Sequence, residues 1–243
     1  MMLTETQRRA FAEEGHLVLR DLLASEIVDQ LRSDADTVLH NALSAMATAQ
    51  AQDLRVTWWR LASGRPYVLK IKPVLDLASS AARLAHSAEL RGVVADLLDV
   101  EPQLMEDKFM YKQVVDAATD WADLPTLGEE VCKHTDAAYF RARGYERVVT
   151  VAVCLDECTA EAGALKVWPG SHHRVVEQVN TANQGPVVPD HAAPDSTAVT
   201  LEAHPGSVLA WDARLVHASG PNTSGNPRRL LVLGYAPAGS GGR

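Results

Sequence analysis

His134-Thr135-Asp136 is the segment of this chain whose residue types and spacing best suit metal chemistry. In an extended strand, residues i and i+2 share a face, so an imidazole and a carboxylate two positions apart can grip one ion. His217 stands 81 residues beyond Asp136 (217 minus 136), on a late predicted strand, with room for several strands between. Two histidines and one carboxylate fill three positions of an octahedral ion and leave the others open to reacting ligands. On spacing alone a second reading stands beside this one: a buried His134–Asp136 ion pair with an unrelated His217. Of the nine histidines, His16, His40, His86, His191 and His204 have no partner in sequence and read as structural or solvated. His172 follows a Pro-Gly-Ser turn and reads as a packing residue.

Such residues need a scaffold. Thr4 and Gly15 bracket a first helix, as N-cap and C-terminal stop. His16 to Leu19 follows as a short strand. Ser25 reads as the cap of a second helix with apolar spacing at Ile27, Leu31, Ala35, Leu39 and Leu43. Residues 51–72 read as mixed, with a strand expected at Tyr67 to Ile71, and one or two helices follow between Leu75 and Leu98. After residue 100 the texture changes to strands: Leu104 to Val115, Val148 to Leu155, Ala164 to Trp168, Ser207 to Trp211, Leu215 to His217 and Arg229 to Tyr235. Val148 to Leu155 is apolar on both faces, as a fully buried strand requires. Short strands separated by Gly, Pro and Asn turns suggest a barrel or a double-sheet jelly roll. Ala117 to Glu130 and Val179 to Ala203 read as long loops of the kind that line binding sites.

The segments flanking the metal candidates decide between the readings. Ala162-Gly163-Ala164-Leu165-Lys166-Val167-Trp168-Pro169-Gly170-Ser171-His172 is followed by Pro205-Gly206-Ser207-Val208-Leu209-Ala210-Trp211. Then come His217-Ala218-Ser219-Gly220-Pro221-Asn222 and Pro227-Arg228-Arg229. Together with the HxD pair this order resembles the phytanoyl-CoA dioxygenase family of Fe(II)/2-oxoglutarate oxygenases. That family runs HxD, NG-x-L-x-V-x-PGSH, a Gly-Asp turn, HGSGxN, then an arginine eleven residues past the distal histidine. Here His217 plus eleven is Arg228. Gln7 to Leu23 is also similar to the family's opening, so the resemblance spans nearly the whole chain. Ala162, Ser207 and Ala218 depart from the usual Asn, Asp and Gly; these bear on pocket shape and remove no ligand.

The resemblance implies a mainly β fold with helices (α+β), a double-stranded β-helix or jelly roll with N-terminal helices packed on one sheet. The chain is then one domain, with 1–100 as mostly helical support, 101–236 as the core and 237–243 as a flexible tail. It implies Fe(II) on His134, Asp136 and His217, with 2-oxoglutarate and O2 as cosubstrates. Arg228 would take the far carboxylate of 2-oxoglutarate, since a planar guanidinium binds a carboxylate with two hydrogen bonds; Arg229 would face the other way. Ser219 matches a family serine at the same carboxylate. Lys108 and Lys112 share a strand face with Met110 and resemble cosubstrate contacts, with solvated edge lysines as the other reading. Lys70 resembles a further lysine near the cosubstrate. Asp136 argues against halogenation, because family halogenases replace that carboxylate with a small residue. Hydroxylation of an unactivated carbon is the default outcome; desaturation, epoxidation and ring closure are the alternatives. A non-catalytic jelly-roll binder and a metal enzyme without 2-oxoglutarate are the rivals from other classes.

Tyr139-Phe140-Arg141-Ala142-Arg143-Gly144-Tyr145-Glu146-Arg147 holds three arginines and three aromatics just after the metal pair. It reads either as a site for an anionic small-molecule substrate, held by Arg141 or Arg143 with Tyr139 or Phe140 against its apolar part, or as a solvated basic loop. The chain as a whole is acidic, with 23 Lys plus Arg against 31 Asp plus Glu among 243 residues. That balance argues against nucleic acid and anionic membrane as partners. No apolar run approaches a membrane span, and the first fifteen residues carry no signal-peptide core. Three cysteines (Cys132, Cys154, Cys158) do not make a disulfide scaffold and fit a reducing cytoplasm. Cys154 and Cys158 read as ordinary cysteines near a strand end.

Overall fold

Every residue of Val149–Cys154 is buried, and the two faces of this strand pack into different cores. Val149, Val151 and Val153 join a large core shared with the helices, while Ala152 and Cys154 face a second, smaller core between two sheets. The period-2 alternation of a strand thus explains why this segment carries no polar face. The computed structural model describes residues 2–48, 53–61, 63–114, 131–181 and 185–241.

In chain order the elements are α1 (Glu5–Glu14), β1 (His16–Leu19), α2 (Ser25–Ala47), β2 (Val56–Arg60), β3 (Pro66–Ile71), α3 (Ser79–Ala85), α4 (Ala88–Leu98) and β4 (Pro102–Lys112). There follow β5 (Val131–His134), α5 (Ala137–Ala142), β6 (Val149–Cys154), β7 (Leu165–Val167), β8 (Val179–Thr181) and β9 (Gly185–Val187). The chain closes with β10 (Val199–Leu201), β11 (Val208–Asp212), β12 (His217–Ser219) and β13 (Arg228–Pro237). One sheet has the order β1-β11-β6-β13-β4-β3-β2 and the other β10-β7-β12-β5, with β8 and β9 as a separate hairpin. All their pairings are antiparallel. This is the jelly-roll architecture, with helices covering the outer face of the larger sheet: Leu31, Ala81, Leu90 and Val93 share one core with Phe109, Val151 and Leu231.

Local chemistry sets several boundaries. Thr4 forms a capping box with Gln7, its hydroxyl accepting from the Gln7 N–H and the Gln7 side chain accepting from the Thr4 N–H. Gly15 ends α1 at φ 80°, and a Cβ there would lie 2.4 Å from the His172 ring. The His172 Nε2 donates to the Ala12 carbonyl, so the Pro-Gly-Ser-His turn packs on α1.

Four sequence expectations are corrected. Ser25 is the first residue of α2 rather than its cap; Ala24 holds the cap position without a side-chain bond. Residues 51–72 hold two strands, β2 and β3, which form a hairpin on the edge of the larger sheet. With β1 they make the first hundred residues part of the sheet as well as its helical cover. The late strand is His217–Ser219, because Leu215 closes a turn onto Asp212 before the extended stretch begins. Residues 179–203 are not one loop: they contain the β8–β9 hairpin and β10. The other expected loop, 117–130, lies outside the described residues. At the chain end the Gly239 N–H donates to the Gln103 side chain, which ties residues 237–241 to β4. No described helix is long and apolar enough to cross a membrane.

Candidate metal centre and its cavity

The smaller sheet brings His134 and His217 face to face. They are direct partners in the β5–β12 register, and their ring centroids lie 4.2 Å apart. Each ring is oriented by its own backbone: the Nδ1 of His134 donates to the Cys132 carbonyl (2.7 Å) and that of His217 to the Leu215 carbonyl (3.0 Å). That fixes the tautomer and leaves both Nε2 lone pairs free to ligate. The two Nε2 atoms lie 3.5 and 3.6 Å from the Asp136 carboxylate oxygens. These distances are too long for hydrogen bonds and suit three ligands arranged around a shared centre. One ligand atom from each residue lies within 4.8 Å of the others.

Asp136 reaches this point by a different route from the one its spacing suggested. It lies beyond the end of β5, in helical conformation (φ −73°, ψ −18°) at the start of α5, so it does not share a strand face with His134. The turn is pinned by the Ala137 N–H donating to the Ala213 carbonyl, and the Trp211 indole N–H points at the Asp136 carboxylate (3.4 Å). Burial works against ionisation of Asp136, but His217, His134 and Lys108 outweigh it and hold its carboxyl well below the usual carboxylate range. Burial, then the neighbouring His134, pushes His217 down to about 4. At neutral pH the centre therefore offers a carboxylate and a neutral imidazole, the forms that bind metal.

His217 is positioned by the turn that the sequence marked as structural. The Ser171 hydroxyl accepts from the Val216 N–H (2.9 Å), and the Trp168 N–H donates to the Val216 carbonyl (3.0 Å). Both bonds hold the residue immediately before His217.

The three residues open on a cavity of about 580 Å³ between the two sheets. Arg228, Leu230 and Val232 of β13 line it, while Arg229 points away and binds Asp156 through two hydrogen bonds of 2.8 Å. Arg228 is only 3% exposed, with its Nη2 donating to the Gly163 carbonyl (2.8 Å). Ser219 is buried on the same wall. Lys108 and Lys70 also border the cavity. Lys112 is placed elsewhere: buried at the end of β4, it donates to the Gly220 carbonyl and braces the connection after Ser219. Tyr139 lines the cavity, whereas Arg143 stands behind it, bonded to the Tyr139 hydroxyl and to Glu106. Arg141 points outward to Glu146 (3.4 Å). Cys154 and Cys158 are buried free thiols in the inter-sheet core.

Sequence reasoning missed Glu106, Lys72 and Trp211, all of which line the cavity. Glu106 had a readable signal: on β4 it has the same parity as Lys108 and Met110.

The phytanoyl-CoA dioxygenase (PhyH) profile matches residues 11–230. This chain belongs to that family. As a member it is an Fe(II)/2-oxoglutarate-dependent dioxygenase, with O2 as the second cosubstrate. Ectoine dioxygenase of Sphingopyxis alaskensis is 25% identical over 254 residues, covering 96% of this chain and 76% of that protein. Phytanoyl-CoA dioxygenase domain-containing protein 1 of Danio rerio is 22% identical, covering 96% and 89%. Among solved structures, EctD from S. alaskensis with 2-oxoglutarate and 5-hydroxyectoine aligns with a TM-score of 0.75 at 25% identity, covering 97% of this chain and 76% of that one.

Proposed function

We propose that His134, Asp136 and His217 hold Fe(II), that Arg228 and Ser219 hold the far carboxylate of 2-oxoglutarate, and that the enzyme hydroxylates a carbon of a small organic substrate bound in the same cavity. The observation that carries this reading is the shared cavity: a buried arginine and a converging His-Asp-His set border one space between the sheets. When bound, iron and 2-oxoglutarate supply the activation of O2, with 2-oxoglutarate oxidised to succinate and CO2.

The chain's own residues do the positioning. The Cys132 and Leu215 carbonyls keep the two imidazoles in the ligating tautomer. The Gly163 carbonyl holds the Arg228 guanidinium before any anion arrives; a buried charge fixed in this way needs no reorganisation on binding. Lys70 stands on the cavity wall with its ammonium free of hydrogen bonds and ion pairs among the described residues, which suits a contact to the cosubstrate. The apolar wall residues, including Leu69, Met110, Leu230 and Val232, suit the apolar part of an organic substrate. Hydroxylation is favoured by the likeness to EctD, whose structure contains a hydroxylated compound.

The test is a metabolite screen read by succinate. Release that depends on added Fe(II) and 2-oxoglutarate, with a product heavier by one oxygen atom, is the expected result. A product lighter by two hydrogens would replace hydroxylation with desaturation, and metal-independent turnover would overturn the reading.

A further inference from the structure

One stretch of the cavity wall carries more positive charge than the proposed cosubstrate can use. The Glu106 side chain is only 8% exposed, and three cations gather on it. Its Oε1 accepts from Lys108 Nζ (2.8 Å); its Oε2 accepts from Arg143 Nη1 (2.8 Å) and lies 3.6 Å from Lys72 Nζ. The Tyr139 hydroxyl completes the cluster, donating to Glu106 (3.1 Å) and accepting from Lys72 (3.0 Å). Three cations against one carboxylate leave a surplus of two positive charges.

2-Oxoglutarate does not remove this surplus. Of its two carboxylates, one is assigned above to Arg228 and the other to the metal end. Lys72 and Arg143 are about a third exposed, but Lys108 is largely buried, where positive charge in excess is costly unless an anion arrives to share it. Lys72 and Lys108 line the cavity, whereas Arg143 supports Glu106 from behind. An incoming anion therefore meets the two lysines. Burial opposes the charge on Lys108, but Glu106 and then Asp136 outweigh it and raise its pKa, and the ammonium spends one donor on Glu106, which leaves others for an anion. The cavity also has apolar wall, with Leu69, Met110 and Val187 among the residues that form it.

We propose that the substrate is an organic anion with an apolar body, whose carboxylate or phosphate group docks on Lys72 and Lys108 beside Tyr139. This rests on the oxygenase reading above. It moves the anion site from Arg141 and Arg143, the sequence candidates, to Lys108 on β4 and Lys72 just beyond the end of β3.

The test uses the full chain loaded with Zn(II) in place of Fe(II) and saturated with 2-oxoglutarate, so that no turnover occurs. Calorimetric titration follows with cyclohexanecarboxylate, cyclohexyl phosphate and the neutral cyclohexanecarboxamide. At least one anion should bind about tenfold or more tightly than the amide, and the tighter of the two distinguishes carboxylate from phosphate. That preference should vanish in the Lys72→Gln/Lys108→Gln variant and persist in Arg141→Ala, whose side chain points outward. Lys72→Gln alone, at a side chain 32% exposed, reports the same loss in part if the double variant does not fold. The proposal is overturned if amide and anions bind alike, if no probe binds at millimolar concentration, or if the double variant keeps the wild-type preference. Failure of 2-oxoglutarate itself to bind in the loading step would instead count against the parent reading. In that case the same titration without 2-oxoglutarate, comparing wild type with the double variant, still decides the anion site.

Discussion

His134 and His217 sit directly opposite one another on β5 and β12, although 83 residues (217 minus 134) separate them in the chain. Cross-strand pairing therefore brings the two imidazoles together, and Asp136 joins them from the turn that follows β5. Replacing any one of the three by Ala should abolish tight metal binding. Ligand binding stabilises the native state by RT ln(1 + [L]/Kd), about 2.7 kcal/mol at a hundredfold excess over Kd. Wild-type protein should thus melt at higher temperature when Fe(II) or Zn(II) is added, and the three variants should not. A normal metal-induced shift in His217→Ala would exclude it as a ligand.

Arg228 and Arg229 are neighbours with opposite fates, and their variants should separate binding from stability. Arg228→Ala leaves a bound carboxylate without its partner, which should cost roughly 2–5 kcal/mol of 2-oxoglutarate affinity while metal still binds. Arg229→Ala instead removes two side-chain bonds to the largely buried Asp156, which keeps the backbone N–H of residue 229 and the Arg32 guanidinium at 3.6 Å. It should cost about 1–3 kcal/mol of folding stability and leave the Michaelis constant for 2-oxoglutarate close to wild type. Calorimetry and urea unfolding on both variants check this; the reverse pattern would place the strand one residue out of register.

That register was legible because β13 alternates strictly: Leu230 and Val232 face the inter-sheet core while Leu231 and Leu233 face the helices. His134, His217 and Arg228 were readable as candidates from ordered motifs, since turn glycines and ligand spacing are local features. Asp136 does lie beside His134 and His217, but not by the shared strand face its spacing suggested, because the path of a turn is not encoded in a two-residue spacing. Glu106 and Lys72 were not found. Their roles depend on β3 lying beside β4, a long-range pairing with no local signal. Arg141 looked equivalent to Arg143 in sequence, but their position along one short helix turn sends one outward to Glu146 and the other to Glu106.

Ser171 supports the centre without touching it. Its hydroxyl is buried and accepts the Val216 N–H. Ser171→Ala leaves that N–H unsatisfied, at a cost of about 1–3 kcal/mol. Because Val216 precedes His217, metal affinity should fall along with stability, while Ser171→Thr should restore part of both. Metal titration of the two variants tests the link; a loss of stability with unchanged metal affinity would confine Ser171 to packing.

Lys70 is a cost to the unliganded fold. Burial, then Lys108 and Lys72, pushes its pKa from 10.5 down to about 8. The unfolded chain keeps its proton up to about pH 10.5, whereas the native protein gives it up near pH 8. Between these values the unfolded state binds more protons, so the contribution of Lys70 to stability becomes more favourable as pH rises. Below pH 8 the full penalty applies, on the order of 2–3 kcal/mol. Lys70→Met should therefore stabilise the metal-free and cosubstrate-free protein at pH 7 by on the order of 1–3 kcal/mol, and this advantage should shrink between pH 8 and 10.5. Cysteines and tyrosines also titrate in that window, so the quantity to measure is the difference in urea unfolding free energy between wild type and variant at each pH. If 2-oxoglutarate lies against Lys70, saturating cosubstrate favours the charged amine and reduces or reverses the variant's advantage at pH 7. A wild-type-minus-variant difference that stayed flat from pH 7 to 10.5 would mean that Lys70 is not a penalised cation in the free protein.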